Sequence, residues 1–187
     1  MISEVNGNSW KQVEYWNGDR ELRKEAEEEI RKAELMVVNT PGNPTGYTLS
    51  EEQAREIGET AEKHDTFLVS DEVYHRLTYG RGHHSPARFN SNSAVIGSVS
   101  KNHAMTGWRI GWIVDDEENI EQYAKVSRAS VASPPTISQY ASIEALRNDS
   151  HVGEMRKVYG ERRDLVVERM NDLGWEFRAP EGAIYTF

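Results

Sequence analysis

The 187-residue chain has no cysteine, which excludes a disulfide framework, a thiolate zinc site and a cysteine nucleophile. It has no apolar run of about eighteen residues, the length that marks a membrane-spanning helix. Its first residues, Met1-Ile2-Ser3-Glu4-Val5-Asn6, lack the basic and apolar regions of a secretory signal. These absences predict a soluble, cytoplasmic protein. Positive charge is scarce: 22 Lys and Arg stand against 31 Asp and Glu, a net charge of -9. An acidic protein is a poor partner for nucleic acid or an anionic membrane, so neither is expected and small-molecule chemistry is. Only seven of the basic residues are lysines, a balance compatible with a salt-adapted cytoplasm. The cluster Glu25-Ala26-Glu27-Glu28-Glu29 reads as a solvated helix face. The histidines show no metal-ligand spacing, His83 and His84 read as part of a solvent loop, and no metal is predicted.

Helical and extended periods alternate along the rest of the chain. Residues 1–19, polar apart from Trp10, Tyr15 and Trp16, show no regular period and read as an irregular lead-in. Asp19 opens a helix with apolar positions Leu22, Ala26, Ile30 and Ala33. Leu35–Asn39 suits a buried strand and stops at the loop Pro41-Gly42-Asn43-Pro44-Thr45-Gly46. Ser50 with Gln53 forms a capping box for a helix whose buried stripe is Ala54, Ile57, Gly58 and Ala61. Phe67–Ser70, Ala94–Ser98 and Ile110–Val114 read as strands, with a surface loop from Tyr79 to Asn92. Asp115, with Glu118, caps the first of three helices near 116–130, 135–147 and 151–173; Pro134-Pro135 opens the second and Gly174 closes the third. Trp175–Phe187 reads as two short strands around Ala179-Pro180-Glu181-Gly182. Strands alternating with helices predict an α/β fold with a largely parallel sheet, whose ligands collect at the carboxyl ends of strands.

Three motifs stand at those ends. In Ser98-Val99-Ser100-Lys101 a serine-flanked lysine closes an apolar run, and Arg109 follows eight residues later. A lysine amine of lowered pKa condenses with an aldehyde, and an arginine fork with the hydroxyls of Ser98 and Ser100 suits a phosphate monoester. Pyridoxal 5'-phosphate (PLP) fits that description. Asp71, in Ser70-Asp71-Glu72-Val73-Tyr74, can hold a pyridine nitrogen protonated or serve as a helix N-cap. Tyr74 and Asn43 are a phenol and an amide of the types that hydrogen-bond a phenolic oxygen; equally, Tyr74 can be a buried aromatic and Asn43 a turn residue. Arg109 can pair with surface carboxylates instead, and Trp108 and Trp112 read as packing residues.

The run Ser98-Val99-Ser100-Lys101-Asn102-His103-Ala104-Met105-Thr106-Gly107-Trp108-Arg109-Ile110-Gly111 resembles the signature around the Schiff-base lysine of class I and II aminotransferases. With the Asn43 and Asp71 motifs in order upstream, the chain resembles the fold-type I PLP enzymes, and within them the aspartate/aromatic aminotransferase group. The resemblance covers about residues 30–187. It implies a three-layer α/β/α PLP-transferase large domain, incomplete here, over residues 20–147, followed by the start of the small C-terminal α+β domain over 148–187. It implies an internal aldimine at Lys101, which also shuttles a proton during amino group transfer from an L-amino acid to a 2-oxo acid. Asn43, Asp71, Tyr74, Ser98, Ser100, Lys101 and Arg109 would bind the cofactor, with Lys101, Asp71 and Tyr74 catalytic.

The family's Gly-rich phosphate loop, stacking aromatic and carboxylate-binding arginine are not found, although Gly182-Ala183-Ile184-Tyr185 matches its G-A-x-Y motif. The expectation is therefore a fragment with little activity alone, whose missing segments come from a partner chain or from the rest of a homodimeric enzyme. The alternatives are a non-catalytic PLP-binding remnant, a subunit of a split enzyme, or a PLP lyase of the same fold.

Overall fold

The computed structural model describes residues 2–5, 8–11, 20–175 and 178–187, with side chains from residue 24 onward. Strands β1 (Ile2–Val5) and β2 (Asn8–Lys11) pair antiparallel. Helix α1 (Arg20–Ile30) leads to β3 (Leu35–Asn39), α2 (Glu51–Lys63) and β4 (Phe67–Asp71). A 3-10 turn at Pro86–Phe89 precedes β5 (Ser93–Ser98), which runs into the single-turn helix α3 (Val99–Asn102). After a second 3-10 turn at Thr106–Trp108 come β6 (Gly111–Val114), α4 (Glu117–Val131), α5 (Thr136–Arg147) and α6 (Ser150–Asp172).

The main sheet has the order β3-β4-β5-β6, with β3, β4 and β5 parallel and β6 antiparallel on the edge. Parallel neighbours need a crossover, and α2 supplies the one between β3 and β4. Strand alternation sends Met36 and Val38 of β3 to the helical side, where they pack on two buried groups. One is Ala26, Leu49, Ala54 and Ile57; the other is Ile30, Ala61 and Leu68. Fully burying a side chain such as Ile57 or Leu68 contributes about 2 kcal/mol. The opposite alternation leaves Leu35 and Val37 exposed on β3, and Ile113 and Val114 are exposed on β6. Both edge strands thus keep apolar side chains in water.

Helix α2 begins as its sequence predicts. Ser50 Oγ accepts from Gln53 N and Gln53 Oε1 accepts from Ser50 N, so two N-terminal amides are satisfied reciprocally. Its buried stripe is Ala54, Ile57, Gly58 and Ala61. Helix α5 opens at Pro135, and Gly174 closes the turn after α6 at φ +76°.

Four expectations need correction. The lead-in read as irregular contains β1 and β2; strands of four residues are too short to show a period, and the signal lay in Asn6-Gly7, a dipeptide favoured between hairpin strands. Helix α4 is preceded by Asp116, not capped by Asp115, whose carboxylate accepts from Asp116 N, Asn119 Nδ2 and Tyr123 OH. The loop from Tyr79 to Asn92 is not wholly at the surface: Pro86 and Asn90 are buried, and His83 pairs with Glu72. Among the described residues 178–187 there is no strand, only an isolated bridge between Thr78 and Gly182. A proline, Pro180, and a glycine, Gly182, in so short a span resist a ladder, and Ala183 at φ +57° turns the chain. Tyr15, Trp16 and Asp19 lie outside the described residues.

Candidate active site

The register of the parallel strands brings the motifs level. Asn39 pairs with Asp71, and Asp71 with Ile96, so the loops after β3, β4 and β5 leave the same edge of the sheet. The last side chain of β3 fastens two of them. Asn39 Oδ1 accepts from Asn43 N at 2.6 Å, and Asn39 Nδ2 donates to Asp71 O at 3.2 Å. Thr40 N donates to the same carbonyl at 3.0 Å. Asn43 is held by its backbone, with its side chain exposed.

Asp71 is half-buried at the end of β4, and its carboxylate accepts only from Val73 N, at 3.3 Å, among the described residues. Burial pushes its carboxyl above the usual range; the Val73 amide opposes this and the neighbouring Glu72 charge adds to it. A carboxylate in that state favours a cation beside it. Tyr74 is buried at 2% exposure. Its hydroxyl lies 2.5 Å from that of Tyr185, and the rings meet edge to face with centroids 5.8 Å apart. Burial first, then the Tyr185 contact, drives the Tyr74 hydroxyl well above the usual phenol range. Lys101 Nζ stands 5.8 Å from the centre of the Tyr74 ring. Asp71, Tyr74 and Lys101 thus share one neighbourhood, although they are separated by up to thirty residues in sequence.

The residues expected to bind a phosphate are placed differently. Ser98 Oγ accepts from Ser100 N at 2.9 Å, capping α3, and donates to Ile110 O at 2.8 Å, so its single proton is already engaged. Ser100 is half-buried, with its carbonyl accepting from Thr106 Oγ1. Arg109 is exposed at φ +52°, one guanidinium nitrogen donating to Thr106 O at 2.9 Å. Trp112 packs as expected: a Cβ on Gly97 would sit 2.3 Å from its indole nitrogen. Only a glycine at this position of β5 lets that ring come so close to the strand. Trp108 remains 40% exposed.

Beside Asp71, Glu72 turns inward. Its carboxylate accepts from Ser70 Oγ at 2.8 Å, from His83 Nε2 at 2.8 Å and from Ser85 Oγ. Burial alone would raise its pKa, but the hydrogen bonds from His83 and Ser85 and the His83 charge outweigh it and hold the carboxyl below its ordinary value. A depressed carboxyl contributes stability that is present above its unfolded pKa and is lost as the pH falls through the folded one. Glu72→Gln is therefore expected to cost about 2 kcal/mol at neutral pH, the scale of a hydrogen bond to a charged group. Urea midpoints of parent and variant should converge as the pH is lowered through the carboxylate range; a constant gap would contradict the assignment.

The segment Arg178–Tyr185 ties these loops together, and sequence spacing carried no sign of it. Glu181 N and Gly182 N both donate to Gly46 O, Thr48 Oγ1 donates to Glu181 Oε2, and Ala183 N donates to Leu77 O at 2.9 Å. Tyr79 OH donates to Ala183 O at 2.6 Å. Tyr74, Leu77 and Ala183 form a buried group with Met155 and Tyr159 of α6 packed against it. The Asn43 loop and the Tyr74 turn are thus clamped from one side by a strip 104 to 133 residues downstream.

Comparison with known proteins agrees with this arrangement. The family model described as aminotransferase class I and II matches residues 4–187. A probable aspartate/prephenate aminotransferase of Thermus aquaticus is 39% identical over 168 residues, covering 84% of this chain and 44% of that protein. A probable aspartate aminotransferase of Methanocaldococcus jannaschii is 36% identical, covering 91% of the chain and 47% of its own length. Among solved structures, the Thermus thermophilus aspartate aminotransferase with maleate superposes with a TM-score of 0.79 at 39% identity, over 84% of this chain and 44% of that one. The chain spans less than half the length of these curated relatives. A match over nearly its whole length, together with the parallel-dominated sheet and the motif-bearing strand ends, means that the chain belongs to the class I and II aminotransferase family.

Proposed function

We propose that this chain carries the lysine-bearing portion of a PLP-dependent aminotransferase, which moves an amino group from an L-amino acid to a 2-oxo acid. The observation that carries the reading is the joint placement of Lys101, Tyr74 and Asp71, with Asp71 half-buried and lacking a cationic partner among the described residues. These residues fit PLP. Asp71 offers a carboxylate that favours a protonated ring nitrogen, Tyr74 a hydroxyl for the phenolic oxygen, and Lys101 a primary amine for the aldehyde. Bound there, the cofactor supplies an electron sink for the carbanion formed at the substrate α-carbon.

The chain's own residues do the rest. Lys101 would hold the cofactor, and its amine, when free, would take and return the α-proton. Asp71 would keep the ring nitrogen charged. Tyr74 donates to the phenolic oxygen, with Asn43 as its companion if the Asn43 side chain turns inward from its exposed position. Arg109 would be the phosphate fork, offering the N–H groups that Thr106 O does not engage. Ser98, with a single proton, would have to give up Ile110 O to donate, which favours Ser100 as the first hydroxyl donor. The names of the relatives make aspartate the first amino donor to examine.

The test is PLP added to the folded chain, borohydride reduction and peptide mapping. Label concentrated on Lys101 among the seven lysines is the expected result; label spread evenly, or absent from Lys101, would end the proposal.

A further inference from the structure

Tyr185 reaches the proposed site from the far end of the chain. It is carried by the segment clamped to Gly46 and Leu77, and its hydroxyl meets that of Tyr74 at 2.5 Å. The two rings pack edge to face within the buried group of Tyr74, Leu77 and Ala183. A phenol has one proton to donate and lone pairs that accept. If Tyr74 gave its proton to Tyr185, none would remain for a cofactor oxygen. If Tyr185 gives its proton to Tyr74, the Tyr74 proton is left free, and Tyr74 becomes the stronger donor because successive hydrogen bonds polarise one another.

We propose that Tyr185 is a positioning residue that donates its hydroxyl proton to Tyr74, fixing the direction of the Tyr74 hydrogen bond towards the phenolic oxygen of the bound cofactor. The inference rests on the proposed function, because it needs Tyr74 to face that oxygen. Its consequence is electrostatic. A donor on the phenolic oxygen stabilises the form in which that oxygen is fully charged and the nitrogen of the lysine–cofactor bond has lost its proton. It therefore lowers the pKa of that nitrogen. A proton passed the other way would have the opposite effect: removing the Tyr185 hydroxyl would free Tyr74 and lower that pKa further.

The experiment loads the full chain with PLP and titrates the absorbance of the lysine-bound cofactor against pH in parent, Tyr74→Phe, Tyr185→Phe and the double variant. Circular dichroism confirms that each keeps the parent fold. Tyr74→Phe should raise the pKa by roughly one unit, the scale of one strong hydrogen bond. Tyr185→Phe should raise it by roughly a tenth to a third of that amount. The double variant should match Tyr74→Phe alone, because Tyr185 acts only through the Tyr74 hydroxyl. A merely structural Tyr185 would add its effect independently of Tyr74. If Tyr74→Phe moves the pKa but Tyr185→Phe leaves it unchanged, lowers it, or adds to it in the double variant, the inference fails and the function stands. If no cofactor attaches at Lys101, or Tyr74→Phe has no effect, the functional reading fails and takes the inference with it.

Discussion

Gly46→Ala is expected to cost the chain roughly 3 kcal/mol, from a left-handed backbone that disfavours any Cβ together with overpacking of a filled joint. Gly46 sits at φ +66°, and a Cβ there would lie 2.4 Å from Pro180 Cβ and 2.8 Å from Gly182 O. Neither neighbour can yield. Pro180 is a ring, and the space beside Gly182 is so tight that a Cβ there would lie 2.7 Å from Pro41 Cβ and 2.8 Å from Thr48 Cγ2. Both Glu181 N and Gly182 N hang on the Gly46 carbonyl, so relief by backbone movement would break the clamp between the Asn43 loop and the C-terminal strip. The measurement is the urea unfolding midpoint, with Gly107→Ala as the control: nothing lies within 4 Å of a Cβ at Gly107, and a change of no more than about 0.5 kcal/mol is expected there. Equal losses at the two glycines would show that Gly46 holds no special joint. The clamp also links stability to the site, because the strip that Gly46 anchors delivers Tyr185 to Tyr74.

Asp71→Ala is expected to separate cofactor attachment from proton transfer. Attachment is a bond to Lys101 and should survive. Exchange of the substrate α-proton should slow by roughly a hundredfold or more, the usual consequence of losing a group that stabilises developing charge. The physical ground is the state of the carboxylate: burial pushes it up, Glu72 adds to that, and the Val73 amide offsets only part. A raised carboxyl is a folded-state cost present above its folded pKa, and a pyridinium proton held against it relieves that cost while keeping the ring an electron sink. The assay is deuterium uptake at the α-carbon of aspartate, in an assembly of this chain with the complementary segments of a relative, alongside the absorbance of the lysine-bound cofactor. Exchange at the parent rate would remove Asp71 from the role proposed for it.

Local signals in the sequence carried further than distant ones. The capping box of Ser50 and Gln53, the stripe Ala54, Ile57, Gly58 and Ala61, and the strands ending at Asn39, Asp71 and Ser98 were legible because each rests on neighbours within a turn or two. The motif residues Asp71, Tyr74 and Lys101 are legible as candidate chemistry, since a carboxylate and a phenol after β4 and an amine after β5 describe a ligand. What a side chain does with its proton was not. Ser98 reads as a phosphate donor in its motif, yet its proton goes to Ile110 O, twelve residues away. His83 reads as a loop residue, yet Glu72 draws it inward, because a buried carboxylate must find donors.

The residue types and their order alone determined the α/β class, the predominantly parallel sheet and the identity of the lysine, aspartate and tyrosine motifs. These follow from hydrophobic period, turn chemistry and functional-group type, all properties of short stretches. Only the tertiary structure decided which groups meet. Asn39 bridges the Asn43 loop to Asp71 because parallel pairing sets Asn39 and Asp71 side by side. Tyr185 touches Tyr74 across 111 residues because Ala183 turns the strip and Gly46 holds it there. Contacts at that separation depend on how whole elements stack, and no period in the sequence encodes the position where two distant hydroxyls come within hydrogen-bond reach.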